Sequence, residues 1–111
     1  MNNNASVVKA RAEEIKKYDE ILKGFGVSFS KLASISPDEE ATKVAFDIAK
    51  IISERPSLKD EFYEFKALPT ERLSELGFDE GIMRKYRLYI TAITILFIED
   101  FKHLQSYVGG L

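Results

Sequence analysis

The stretch Gly81-Ile-Met-Arg-Lys-Tyr-Arg-Leu-Tyr-Ile-Thr-Ala-Ile-Thr-Ile-Leu-Phe-Ile-Glu-Asp-Phe101 decides how this chain is read, because it opens with three cations in four residues and then turns almost wholly apolar. Its spacing predicts one long helix from about Asp79. Ile82, Tyr86, Tyr89, Ile93, Leu96 and Phe97 recur at intervals of three and four and form a core stripe. Glu80, Arg84, Arg87, Thr91 and Thr94 fall on the opposite side, with Lys85 and Leu88 at its edge. The basic opening is then either a contact surface or a solvated face whose cations pair with Glu75, Asp79 or Glu80.

Immediately upstream, Leu68-Pro-Thr-Glu-Arg-Leu-Ser-Glu-Leu76 reads as a short helix opened by Pro69 and stopped at Gly77, with Asp79 placed to cap the helix that follows. Two helices joined by a tight glycine-containing turn make a helix-turn-helix candidate over about 69–98, with Leu73 and Leu76 packing inward on Phe78, Ile82 and Met83. Any crossed helix pair shows the same pattern, so it points toward nucleic acid without establishing it.

The remaining chain is also helical in pattern. Val8, Ala12, Ile15, Tyr18 and Leu22 mark an amphipathic helix ending at Gly24-Phe25-Gly26. Ser28 caps a short helix presenting Phe29, Leu32 and Ala33. Ser36-Pro-Asp-Glu-Glu40 supplies an N-cap Ser36, a first-position Pro37 and a capping-box Glu39 for a central helix carrying Ala41, Val44, Ala45, Ile48 and Ile52, which ends at Arg55-Pro56. Ser57 to Asp60 repeats that start for a helix with Leu58, Phe62 and Phe65 on one side. The expectation is an all-α domain of six or seven helices spanning 8–108, between a flexible tail at 1–7 and another at 109–111.

With 111 residues, 45% hydrophobic, the chain holds one packed domain and is too apolar for intrinsic disorder. It has no cysteine, which excludes disulfides, thiolate metal sites and cysteine nucleophiles. Tyr89–Ile98, the longest apolar-rich run, has ten residues, about half of the roughly 20 that span a bilayer, and no secretory signal opens the chain. A cytoplasmic protein without membrane insertion is expected. The net charge of -2, with 11 cations and 12 anions up to Lys66 and 5 and 6 beyond it, confines any nucleic-acid contact to a local patch. Catalysis has no support: His103 lacks nucleophile or metal-ligand company, Glu13-Glu14 and Asp60-Glu61 lie on solvated faces, and no phosphate loop or HExxH motif occurs. No cofactor is expected.

Three segments together carry a resemblance: "LKGFGVSFSKLASISP" before the central helix, then "LPTERLSEL", then "RKYRLYITAITILFIEDFKHLQSYV". Their order and spacing, from about Arg11 to Val108, resemble the C-terminal domain of the sigma-I (SigI) group of bacterial RNA polymerase sigma factors. The matching positions are Gly26, Val27, Ser28, Phe29 and Leu32, then Leu68, Pro69 and Leu73, then Arg87, Tyr89, Ile90, Ala92, Ile95, Leu96, Asp100, Leu104 and Tyr107.

The resemblance implies a domain that recognises the promoter minus-35 element, while a separate N-terminal domain reads the minus-10 region and binds the polymerase core. It also implies sequestration by the cytoplasmic domain of a membrane-anchored anti-sigma factor of the RsgI type. On this reading Arg84, Lys85, Arg87 and Thr91 contact DNA, with Arg72 as a further phosphate contact. Ile98, Phe101 and Leu104, or Phe25 and Phe29, are candidates for the anti-sigma surface, ordinary core packing being the alternative for each. Phe78 to Lys85 stands where the family's turn resembles V-S-R-K-T-L-E-R, so Glu80 and Gly81 replace two early cations and a feeble DNA affinity is expected. The other class of function is a protein-interaction module whose main role is to bind the anti-sigma domain.

Overall fold

A computed structural model describes residues 3–101 and Leu104, the side chains from Val8 onward. Seven helices and no strand occur among the described residues: α1 Asn3–Gly24, α2 Phe29–Ala33, α3 Glu39–Glu54, α4 Pro56–Phe65, α5 Thr70–Glu75, α6 Glu80–Lys85 and α7 Arg87–Glu99. The all-α expectation is met. Part of the expected flexible tail is helical, because α1 reaches back to Asn3. The expected tail at 109–111, His103 and most of the expected last helix lie outside the described residues.

The core is organised around α3 and α7, whose pairing is the most extensive in the fold. Ala41, Ala45, Ile48, Ala49 and Ile52 give α3 a single buried face. The small residues at 41, 45 and 49 let the α7 backbone approach, and Ile48 and Ile52 fill the space beside them. In contrast α7 is buried from Ile90 to Leu96 without interruption, on every side of the helix. Helices all around it account for this: α1, α2, α3 and α6 each touch it. Its hydroxyls are accommodated locally, Thr91 and Thr94 donating 2.8 Å hydrogen bonds to the carbonyls of Arg87 and Ile90.

Two tyrosines tie outer helices to α7. The buried Tyr18 hydroxyl of α1 donates to the Ala92 carbonyl at 2.8 Å, and its ring lies edge-on to Phe101 at 5.8 Å. From α4, the Tyr63 hydroxyl donates to the Glu99 carboxylate. A second aromatic cluster seals the α1–α4 corner, with Phe25 and Phe62 rings 4.6 Å apart and the Lys66 ammonium 5.1 Å over the Phe25 ring.

Helix ends follow local chemistry. At the close of α1, Gly26 takes φ +76, and the amides of Val27 and Gly26 bond the carbonyls of Leu22 and Lys23, the double bond of a Schellman cap. Ser28 caps α2 as expected, accepting from the Lys31 amide at 3.2 Å. The start of α3 differs: Asp38, not Ser36, is the N-cap, its carboxylate accepting from the Ala41 amide at 2.7 Å. An ionised acceptor satisfies that amide more strongly than a hydroxyl, and the helix begins two residues later. Pro56 likewise displaces Ser57 as the start of α4, because its fixed φ suits the first helical position.

Several residues expected in the core are not there. Val8 and Ile15 are 62% and 41% exposed, so the buried side of α1 is the one bearing Tyr18 and Leu22. Phe65 and Leu76 are also exposed, each at the end of its helix.

Burial, with Tyr89 nearby, holds the Tyr18 phenol well above its ordinary value. Burial and the bond to Glu99 do the same for Tyr63. The folded state therefore keeps these protons where the unfolded chain has lost them. Their stabilising contribution is complete below the ordinary phenol value of 10.0 and is lost as pH rises above it. Tyr18→Phe should lower unfolding free energy at neutral pH by about 1 kcal/mol. In urea titrations across alkaline pH, the variant should also lose stability less steeply than the parent.

Candidate nucleic-acid interface

The helix-turn-helix is assembled by α5, a glycine turn and α6. Leu76 closes α5, Gly77 takes φ +100, and the Phe78 and Gly77 amides bond the carbonyls of Leu73 and Ser74 at 3.1 and 3.0 Å. Only glycine adopts this backbone without strain, which explains the break seen in the sequence. Leu73 and Met83 are buried at the crossing, with Phe78 and Ile82 packed partly against them. Asp79 caps α6, its carboxylate accepting from the Ile82 amide at 2.9 Å. Across the turn the Ser74 hydroxyl lies 2.9 Å from the Glu80 carboxylate and donates to it. A Cβ at Gly81 would stand 3.1 Å from the Asp79 cap oxygen, so the glycine leaves room for the cap at a propensity cost of up to about 1 kcal/mol.

The expected single helix from Asp79 to Ile98 is two helices. At Tyr86, φ -109 and ψ 25 leave the helical region, ending α6 after six residues. A straight helix would put Arg84, Arg87, Thr91 and Thr94 on one face, yet Thr91 and Thr94 are 3% and 0% exposed whereas Arg84 and Arg87 are at the surface. The bend at Tyr86 separates α6 from α7, and the contrast between Arg87 and Thr91 arises within α7, whose first residue is at the surface and whose residues from Ile90 to Leu96 are enclosed by neighbouring helices. Thr91, expected to contact DNA, is a core residue.

An open cleft of about 320 Å³ runs between α5 and α6, lined by Thr70, Glu71, Glu80, Met83, Arg84 and Arg87. Arg84, Lys85 and Arg87 are exposed at or beside it. The ion pairs that would make these cations a merely neutralised face, to Glu75, Asp79 or Glu80, do not form among the described residues. Instead the Lys85 ammonium lies 5.3 Å over the Tyr86 ring. Arg72 is engaged elsewhere: it bridges to Glu61 at 3.2 Å and donates to the Ser57 hydroxyl at 3.1 Å, tying α5 to α4. Thr70 and Glu71 were not expected at the site. Their position at the start of α5, after Pro69, is the signal, since a helix start beside the turn faces the partner helix.

The five anti-sigma candidates are divided by burial. Phe25, Phe101 and Leu104 are 7%, 5% and 7% exposed and belong to the core, Leu104 also donating its amide to Glu14. Phe29, 42% exposed, and the partly buried Ile98 remain at the surface. Among the described residues no group of three acidic or histidine side chains is arranged to hold a metal, and no helix is long and apolar enough to cross a membrane.

These features define a small helical domain that carries a helix-turn-helix with a mixed-charge cleft. No protein-family model matches it. Along about 90% of its length the chain is a relative of the SigI sigma factors. It is 31% identical over 103 residues to RNA polymerase sigma factor SigI of Bacillus subtilis, covering 91% of this chain and 41% of that protein. It is 28% identical over 102 residues to SigI of Bacillus anthracis, covering 90% and 42%. SigI7 of Acetivibrio thermocellus is 28% identical over 114 residues, covering 94% and 48%. The chain thus spans less than half the length of these relatives. All three are named as RNA polymerase sigma factors.

Asp79→Ala should cost about 1 kcal/mol by removing the α6 cap. Hydrogen exchange should show the loss first at the Ile82 amide, with the amides of α7 unchanged until global unfolding.

Proposed function

We propose that this chain is the promoter-reading C-terminal domain of an alternative sigma factor, that it recognises the minus-35 element through α6 and the start of α7, and that it acts in the cytoplasm. The observation that carries the reading is the cluster of exposed, unbridged Arg84, Lys85 and Arg87 at the open side of the helix-turn-helix. Kinship with SigI sigma factors supports it independently. Cations at the end of α6 and the start of α7 stand on the exposed side of the motif, where such a fold meets phosphates and base edges of the major groove.

The contact is small. Three cations give a salt slope no steeper than about -3, at roughly -0.9 per phosphate. In a whole sigma factor the minus-35 contact would act beside the minus-10 contact and the polymerase core, where linkage raises effective concentration. The chain alone should bind a promoter duplex weakly, and nanomolar affinity at physiological salt in a mobility titration would contradict this. Arg84→Glu with Arg87→Glu should abolish promoter activity while leaving the melting temperature unchanged, because both side chains are exposed.

We further propose, from the resemblance, that the cytoplasmic domain of an RsgI-type anti-sigma factor docks on this domain, and that Phe29 and Ile98 belong to its surface. The exposure of Phe29, whose ring lies 5.9 Å from that of Tyr18, supports that choice. Chemical-shift titration with that domain should perturb α2 and the end of α7. Loss of its binding in the Arg84→Glu, Arg87→Glu variant would mean that it covers the DNA face as well.

A further inference from the structure

Glu80 is a carboxylate on the surface proposed to meet DNA, and a hydrogen bond from Ser74 holds it there. It is the first residue of α6, it lines the cleft with Arg84 and Arg87, and its Oε1 receives the Ser74 hydroxyl at 2.9 Å. The helix cap is made by Asp79, so Glu80 is not needed for capping. Its bond is to a neutral serine and not to either arginine, so it does not act as their counter-ion. The serine fixes the side chain from the neighbouring helix before any ligand arrives, which reduces the ordering cost of a contact.

What a carboxylate can contact in the major groove is narrowly limited. It accepts hydrogen bonds and cannot donate them. Phosphate oxygens and the N7 and O6 acceptors of guanine repel it. The donors are the exocyclic amino groups of cytosine and adenine, and adenine sets its N7 acceptor directly beside that amino group, opposing the second carboxylate oxygen.

We propose that Glu80 is a base-reading residue whose carboxylate accepts a hydrogen bond from the amino group of a cytosine, and that it makes binding by this domain depend on sequence by penalising every other base at that position. The proposal rests on the DNA-binding reading above and adds to it the residue that discriminates. Arg84 and Arg87 supply attraction to the backbone or to guanine, while Glu80 repels the duplex unless an amino group is presented. Low affinity and high selectivity are then two results of one substitution of charge in the first turn.

The test is enrichment of bound duplexes from a randomised pool at low salt, using the chain itself, Glu80→Gln, Ser74→Ala and the double variant Arg84→Glu, Arg87→Glu, each checked for an unchanged melting curve. The parent should select cytosine at one position by about tenfold over other bases. Glu80→Gln should abolish that selection or move it to adenine, whose N6 and N7 suit an amide, while raising affinity for unselected duplexes. Ser74→Ala should weaken the selection without removing charge. An unchanged base preference in Glu80→Gln overturns the proposal but leaves the DNA-binding reading intact, as does a uniform gain in affinity over a pool with no cytosine preference. Failure of the parent to retain any duplex better than the double arginine variant overturns both.

Discussion

The whole domain depends on enclosing α7. Seven consecutive residues of that helix, Ile90 to Leu96, are buried, which a single partner helix cannot achieve because any one contact covers only a stripe. The chain meets this by surrounding α7 with α1, α2, α3 and α6. The small-residue face of α3 brings two backbones close, and the Tyr18 bond to the Ala92 carbonyl holds α1 against α7. Short helices, tight glycine caps and the aromatic corner of Phe25, Phe62 and Tyr63 follow as means of wrapping that rod with little chain.

Enclosure also shapes the functional surface. A helix buried on all sides cannot present a recognition face, so the surface must be built where the chain leaves the core. Tyr86 is that point: buried itself, it bends the backbone and lets α6 lie outside while α7 runs inside. The result is a surface helix of six residues, pinned at its start by Asp79 and across the turn by Ser74 to Glu80. Its cations are few, but they are unbridged and stand on a rigid support.

Arg72 and Thr91 show the limit of reasoning from residue type. Arginine at the first helix of a helix-turn-helix is a natural phosphate ligand, but Glu61 and Ser57 hold this one against α4. Threonine in line with Arg84 and Arg87 reads as a surface residue on a regular helix. One turn into α7 the surrounding helices already enclose it, and its hydroxyl bonds the carbonyl of Arg87. Of the candidates for a partner surface, Phe25, Phe101 and Leu104 take the alternative of core packing, since apolar residues near helix ends fold back onto the core as readily as they meet a partner.

The sequence by itself determined the helical class, the glycine stops at Gly26 and Gly77, the Ser28 and Asp79 caps, the core faces of α3 and α4 around Ile48 and Phe62, and the kinship with sigma factors. All are local: they depend on side-chain period, on a dihedral only glycine adopts freely, or on an oxygen three residues from an amide. Only the tertiary structure decided that the basic opening and the apolar remainder of Gly81–Phe101 are two helices, which arginines are unbridged, and which hydrophobic residues stay outside. Those outcomes turn on how many neighbours surround α7, and helical periodicity records the direction of a side chain without recording what waits there.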